Sequence, residues 1–392
     1  MKYSLAVCYL THNHPDIVKQ VLENALEDYA AHDIDICFYD DSDDEASKQM
    51  IEDYINKGAK NLFYVDIHGV AHGDEKMYRI LHKEGLPKEY DYIWPSKDRT
   101  YFSGSLLDRL CAIVDEGPDV IQIADENKRW DLSHPIFTDE YHDAAEFYRN
   151  YDAFTTNWEG TIRRIRTMLD PIDWDRYEAD YHVNGGFLQG ATVYVRLSEM
   201  QDFTVKICRY SEDERCLCVN KGSSDWKRVM AQTWIDNWTK ANFHLPSIYD
   251  KYKMEAIKSQ TGKVELYGSV ESLIGYHQQG IYTKDDFEKY RSMWPMITDI
   301  PVECMELVAS GKYDDAIKLT FADFINRLKE HDYIGAFRII AGNYWMESAF
   351  DKQTYNVLLT CFSAFKRDML FVGESQVFDG VSSVEDVVNK YR

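Results

Sequence analysis

Residues Tyr90 to Ser103 read YDYIWPSKDRTYFS, so an apolar run from Tyr92 to Trp94 meets Pro95 and hands over to Ser96, Lys97, Asp98 and Arg99. A single carboxylate flanked by two cations at the mouth of a buried strand can cap a helix, balance loop charge or hold a metal ion. A second cluster, Asp40-Asp41-Ser42-Asp43-Asp44, follows another apolar run. Its carboxylates repel one another unless a cation or hydrogen-bond donors sit among them. Read alone, it is a solvated turn whose Asp43 or Asp44 caps the next helix. Thr11-His12-Asn13 and His68-Gly69 close two further runs. His12, His14, His68 and His72 have no spacing that defines a metal cage. Trp94, Trp130, Trp158 and Trp226 suit either a sugar-stacking platform or the core.

The elements that position these groups alternate. Strand patterns at 3–10, 33–39, 60–67, 90–95 and 119–125 are separated by helical patterns at 14–31, 44–58, 74–85 and 103–117. This βαβαβαβαβ order predicts an α/β fold, a mostly parallel sheet flanked by helices. Ligands of such sheets bind beyond the carboxyl ends of the strands, so the four clusters should converge on one rim. From 126 the alternation fails. Residues 130–160 read as loop and short helix, 185–200 as a glycine-flanked strand, and 223–241 as a helix entered through Ser223, Ser224 or Asp225. Beyond 255 helical spacing dominates, and "ASGKYDDAIKL" and "KEHDYIGAFRI" share a polar turn followed by Tyr-x-x-Ala. That pattern is similar to tetratricopeptide-type helix hairpins, and it equally suits an ordinary helical bundle. The chain thus divides at 255: residues 1–125 and 126–255 are two halves of one domain, and 256–392 is an α-helical C-terminal domain with repeat-like hairpins.

Composition narrows the function. The 392 residues are 45% hydrophobic and 14% aromatic, enough for a sizeable core. A net charge of −23 argues against nucleic acid as a partner and against a strongly basic face for anionic lipid. No run approaches the roughly 20 apolar residues of a spanning helix. The opening MKYSLAVCYLTHNHPD lacks a small-residue cleavage site, so it is not read as a signal peptide. The eight cysteines contain no C-x-x-C pair, and the Cys208, Cys216 and Cys218 group is a weak zinc candidate. Scattered free thiols fit a reducing, cytoplasmic setting. Peripheral attachment at the inner face of a membrane stays compatible with it.

"SLAVCYLTHNHPDIVKQVLENAL" followed by "DIDICFYDDSDDEAS" resembles the opening of family 2 glycosyltransferases of the GT-A, Rossmann-like fold. Those proteins begin with a strand ending in Thr-x-Asn, a helix, and a strand ending in Asp-Asp. The resemblance is clearest over 1–125, looser to 245, and excludes the helical tail. It implies that Thr11 and Asn13 line a nucleotide pocket, and that Asp40 or Asp41 accepts a hydrogen bond from the base or the ribose. It puts the family's metal-chelating Asp-x-Asp at Ser96-Lys97-Asp98. Only Asp98 survives there as a ligand for Mn2+ or Mg2+ on the donor diphosphate, and Lys97 or Arg99 is the alternative source of counter-charge. "HVNGGFLQGATVYVR" is similar to the strand that touches donor sugar or acceptor, which implicates Asn184, Gly185 and Gly186. "GSSDWKRVMAQTW" looks like the segment that carries the base, making Asp225 the candidate, with Glu212 and Asp213 of "YSEDERC" as alternatives.

The implied activity is that of an inverting glycosyltransferase of hexosyltransferase type. A sugar would pass from a nucleotide-diphosphate donor, UDP-sugar favoured, to a hydroxyl of a glycan or glycoprotein acceptor, in polysaccharide biosynthesis or protein glycosylation. The helical domain would offer an oligomer or partner surface. Two readings compete with this. A degenerate transferase fold could bind a nucleotide sugar or act in assembly. Alternatively Asp41-x-Asp43 could act as a phosphotransfer pair, although Asp41 lies beyond its strand and the downstream residues expected there are missing.

Overall fold

The structure, a computed structural model, describes residues 1–69, 73–125, 138–181, 187–218, 229–261 and 266–330, with 332, 335, 336, 339, 342 and 343. The chain forms two compact units: one comprises 1–129, 138–224 and 240–253, the other 130–137, 225–239 and 254–392.

The first unit opens with the alternation read above. β1 (Leu5–Thr11) leads to α1 (Pro15–Asn24) and α2 (Leu26–Ala31), then β2 (Ile34–Asp40), α3 (Ala46–Asn56), β3 (Leu62–Asp66), α4 (Gly73–Leu81) and β4 (Tyr92–Lys97). A short β5 (Thr100–Phe102), α5 (Ser105–Glu116) and β6 (Val120–Asp125) follow. β7 (Glu140–Tyr141), α6 (Ala144–Thr155), β8 (Thr161–Arg164), α7 (Trp174–Tyr181), α8 (Leu188–Glu199), β9 (Val205–Tyr210) and β10 (Arg215–Leu217) complete the sheets. One eight-stranded sheet has the order β3-β2-β1-β4-β8-β6-β9-β7, and β5 pairs with β10 in a separate ribbon. The β1–β2, β1–β4, β2–β3 and β6–β9 pairs are parallel, whereas β8 runs antiparallel between β4 and β6. The mostly parallel, helix-flanked architecture agrees with the pattern of the sequence.

Every residue of β1 and β2 is buried, because helices cover both faces of the central strands. Each buried Val, Leu or Ile contributes about 1.5–3 kcal/mol relative to exposure. Trp94 is fully buried in this core, stacked on Phe102 with ring centroids 5.5 Å apart, so it is no sugar platform.

Four sequence readings need correction. The helix expected over 14–31 bends at Ala25, and the second segment turns Leu26 and Tyr29 onto the core. β4 does not stop at Pro95. The Tyr92 and Asp98 amides donate to Ser4 and Leu10 of the β1 side, so odd-numbered residues face β8, and β8 pairs β4 only at Tyr92 and Ile93. The missing proline N–H therefore removes no ladder bond. Residues 188–199 are helical, not a strand. α8 is buried almost all round, which hides the helical period, and Gly190 packs so closely that a Cβ would lie 2.9 Å from the Thr155 hydroxyl. β8 itself escaped the pattern because Thr161, Arg163 and Arg164 look solvated, yet Arg163 is buried and donates to the Thr161 and Gln189 carbonyls.

Helices α9 (Trp238–His244) and α10 (Asp250–Thr261) follow along the chain. Beyond them come α11 (Val270–Gln278), α12 (Lys284–Lys289), α13 (Trp294–Ile297), α14 (Val302–Ala309) and α15 (Tyr313–Lys329), the helical C-terminal part expected. Its core gathers Leu273, Phe287, Trp294, Ile297, Met305 and Val308. The first hairpin-like copy covers the turn from α14 into α15, where Gly311 takes φ +72°; the second lies partly outside the described residues. Among the described residues no helix is long and apolar enough to cross a membrane.

Candidate functional site

Parallel registry brings the predicted clusters together. Thr11 lies opposite Asp40 at the ends of β1 and β2, and Leu10 lies opposite Lys97 at the end of β4. Thr11, Asn13, Asp40, Asp41, Lys97, Asp98 and Arg99 therefore share one rim.

On the β1–β2 side the acidic run is matched residue by residue. Asp40 is fully buried, and its Oδ1 accepts from the Ser42 amide at 2.9 Å and from the Ser42 hydroxyl. Asp40 Oδ2 and Thr11 Oγ1 are buried without a hydrogen-bond partner. The Tyr64 hydroxyl has its pKa raised by burial and by the charges of Asp40 and Asp66. Asp41 Oδ1 accepts from His12 Nδ1 at 3.0 Å and from Lys76 Nζ, which also donates to the Thr11 carbonyl at 3.1 Å. Asn13 takes a left-handed φ of 54°, which asparagine tolerates, and forms a reciprocal pair with Asp43 at 2.7 and 2.9 Å. Asp44 Oδ1 accepts from the Ala46 amide in a turn just before α3, but neither Asp43 nor Asp44 caps that helix: its N-cap position is Glu45, whose side chain makes no capping bond.

The β4 side is organised around two carboxylates. Asp98, 4% exposed, accepts at Oδ2 from His14 Nδ1 at 3.0 Å, and Arg99 Nη2 donates to His14 Nε2 at 3.3 Å. Lys97 faces Glu159 at 3.1 Å, and Arg215 donates to the same carboxylate at 2.7 Å. Glu159 lies in the short helical turn before β8, and its carbonyl accepts from Trp94 Nε1 at 2.9 Å. Burial alone would raise the Glu159 pKa, but Lys97 and Arg215 outweigh it and hold the carboxyl below the ordinary range. The Cys218 amide donates to the Arg99 carbonyl at 2.9 Å, and burial with the Asp98 charge pushes the Cys218 thiol up to about 11.

Among the described residues no three His, Cys, Asp or Glu side chains are grouped to hold a metal ion. Asp98 already accepts from His14, Ser96 is buried beside it, and cationic Lys97 and Arg99 flank it. This donor set does not fit a divalent ion, which seeks several oxygens.

Glu212 and Asp213 are exposed on the turn between β9 and β10; Asp213 accepts from the Ser211 hydroxyl at 2.6 Å. Their neighbour Glu214 is bound by Arg109 and Ser105 and held to about 2, chiefly by Arg109. Asn184, Gly185, Gly186, Asp225, His72, Trp130 and Trp226 lie outside the described residues. His68 caps the end of β3, donating its amide to Asp66 at 3.1 Å. Trp158 packs on α4 so tightly that a Cβ on Gly73 would lie 2.3 Å from its ring.

Three rim residues were not found from sequence. Lys76 sits in the buried stripe of α4 with Met77, Ile80 and Leu81, and a lysine one helical turn before Ile80 was the available signal. Glu159 and Arg215 carried none, since their pairing depends on β8 and β10.

No protein-family profile matches the chain, and no curated protein sequence does. Among solved structures it is similar to TarS 1–349 of S. aureus, 12% identical over 80% of this chain and 89% of that one, TM-score 0.46. It is also similar to the mannosyltransferase PcManGT from Pyrobaculum calidifontis in complex with GDP-Man and Mn2+, 10% identical over 80% and 87%, TM-score 0.43. A third is glucosyl-3-phosphoglycerate synthase from Mycobacterium tuberculosis with Mn2+, UDP-glucose and phosphoglyceric acid, 9% identical over 62% and 81%, TM-score 0.37. Identity this low transfers no residue roles, so the site rests on its own geometry.

Proposed function

We propose that the chain is a GT-A, family 2-like glycosyltransferase that takes a hexosyl group from a nucleotide-diphosphate sugar, UDP-sugar favoured. The observation that carries this reading is the meeting on one rim of two unlike halves. The β1–β2 end offers carboxylate, hydroxyl and amide groups suited to a nucleoside, and the β4 end carries the Arg99 guanidinium, suited to phosphate oxygens. Thr11, Asn13, Asp40 and Asp41 form the nucleoside side, with Lys97 and Arg99 toward the diphosphate and Gly185 and Gly186 toward the sugar.

In the proposed reaction Asp225, or else Glu212 or Asp213, takes the proton of an acceptor hydroxyl. The acceptor oxygen forms a bond to the anomeric carbon while the bond to the diphosphate oxygen breaks, so the centre inverts and nucleoside diphosphate departs. The acceptor is a glycan or glycoprotein hydroxyl. A Mn2+ or Mg2+ ion on Asp98 would supply Lewis-acid neutralisation if bound, but the donor set described above favours guanidinium neutralisation.

The second reading, a catalytically degenerate nucleotide-sugar binder, is favoured by one residue: Ser96, buried to 1% exposure, stands where a second carboxylate is expected. One experiment separates the readings. Melting curves with UDP, GDP, CDP and dTDP should rise with one nucleotide, by the equivalent of about 2.7 kcal/mol at 100-fold the Kd. Asp225→Asn should then retain that shift and lose sugar transfer. Retained binding in a wild-type chain that transfers no sugar would favour the second reading, and no shift with any nucleotide would remove both.

A further inference from the structure

We infer that Asp98 is a positioning residue that aims Arg99 at a diphosphate through His14, in place of a metal ligand. Arginine has five donors and no acceptor, so at the 3.3 Å Arg99–His14 contact the imidazole Nε2 must accept. The ring proton therefore lies on Nδ1 and is donated to Asp98 Oδ2 at 3.0 Å. Donation runs one way along Arg99, His14 and Asp98, from a partly exposed guanidinium to a carboxylate that is 4% exposed. The inner carboxylate fixes the imidazole, and the imidazole fixes the guanidinium.

The other cations of this rim are matched. Lys76 is paired with Asp41, and both Lys97 and Arg215 with Glu159. Arg99 makes no ion pair among the described residues, and its remaining N–H groups fit the paired oxygens of a diphosphate. Its backbone is tied by the Cys218 amide, so the side chain projects from a fixed point. Ser96, buried beside this chain, offers no second carboxylate. The identification of the diphosphate as part of a sugar nucleotide rests on the function proposed above; the anion site itself does not.

Calorimetric titration of the full chain with inorganic pyrophosphate and with UDP, each in EDTA and then in Mn2+, tests this. Both should bind in EDTA, with less than a threefold gain from Mn2+. Arg99→Gln should weaken pyrophosphate at least tenfold, and Arg99→Lys should recover only part. Asp98→Asn should weaken it severalfold in the wild-type background and have no effect in Arg99→Gln, a coupling that a merely structural aspartate would not produce. If Asp98→Asn unfolds the chain, His14→Gln takes its place in the same cycle. Binding that requires Mn2+, with Mn2+ affinity lost in Asp98→Asn, overturns the inference while sparing the proposed transferase. Pyrophosphate binding through Arg99 with no nucleotide bound sinks the transferase and keeps the inference. Neither anion binding overturns the inference.

Discussion

The two halves of the rim handle charge in opposite ways. At the ends of β1 and β2 the acids are met internally: Lys76 and His12 on Asp41, Ser42 on Asp40, Asn13 on Asp43, the Ala46 amide on Asp44. At the end of β4 Glu159 is taken up by two cations, Lys97 and Arg215, Asp98 accepts from the neutral His14 imidazole, and one cation, Arg99, is left over. The first half is thus preorganised around acceptors and the second around a donor. A ligand that spans both needs a neutral polar part and an anionic part, as a nucleoside diphosphate has.

The comparison can be broken most severely at Lys76. Its removal leaves Asp41 buried without its ammonium, and Lys76→Ala should cost about 3–5 kcal/mol in urea unfolding. Adding Asp41→Asn to that variant should restore part of the loss, because the stranded charge is then gone. Next is Glu159→Gln on the β4 side, which strands Lys97 and Arg215 together and should cost about 2–3 kcal/mol by the same measurement.

The acid limb sharpens the contrast. Glu159 and Glu214 both have folded pKa values below the ordinary 4.5, Glu214 at about 2. Depressed carboxylates contribute stability that is complete above the unfolded pKa and lost as pH falls through the folded one. The melting temperature should therefore drop between pH 4.5 and 2, and Glu214→Gln should flatten that drop. An unchanged slope would mean that Arg109 does not hold Glu214 in solution. The smallest effect is expected at exposed Asn13. Asn13→Ala loses the Asp43 pair and should cost about 0.5–1.5 kcal/mol, with weaker nucleotide binding and unchanged pyrophosphate binding.

Much of this rim was legible in the sequence. The runs at Leu5–Thr11, Ile34–Asp40 and Tyr92–Lys97 are apolar because both sheet faces are covered, and parallel pairing then forces their polar ends together. What was not legible is which acid meets which cation. Lys76 is one of several charges of α4, and its place in the buried stripe matters only once α4 packs beside β1. Arg215 and Glu159 meet because β10 pairs with β5 and because a short turn precedes β8, a four-residue strand with two arginines. Residues 188–199 failed for a related reason: full burial erases the amphipathic period that identifies a helix.

The central claim is that one half of the rim reads a nucleoside and the other half its phosphates. Comparing the affinities of UDP and inorganic pyrophosphate for the wild-type chain, by calorimetry in EDTA, tests it most directly. The account predicts that UDP binds at least tenfold more tightly, the β1–β2 groups adding to a shared phosphate contact. Equal affinities would contradict it, because the nucleoside would then touch nothing that the acidic half had been built to offer.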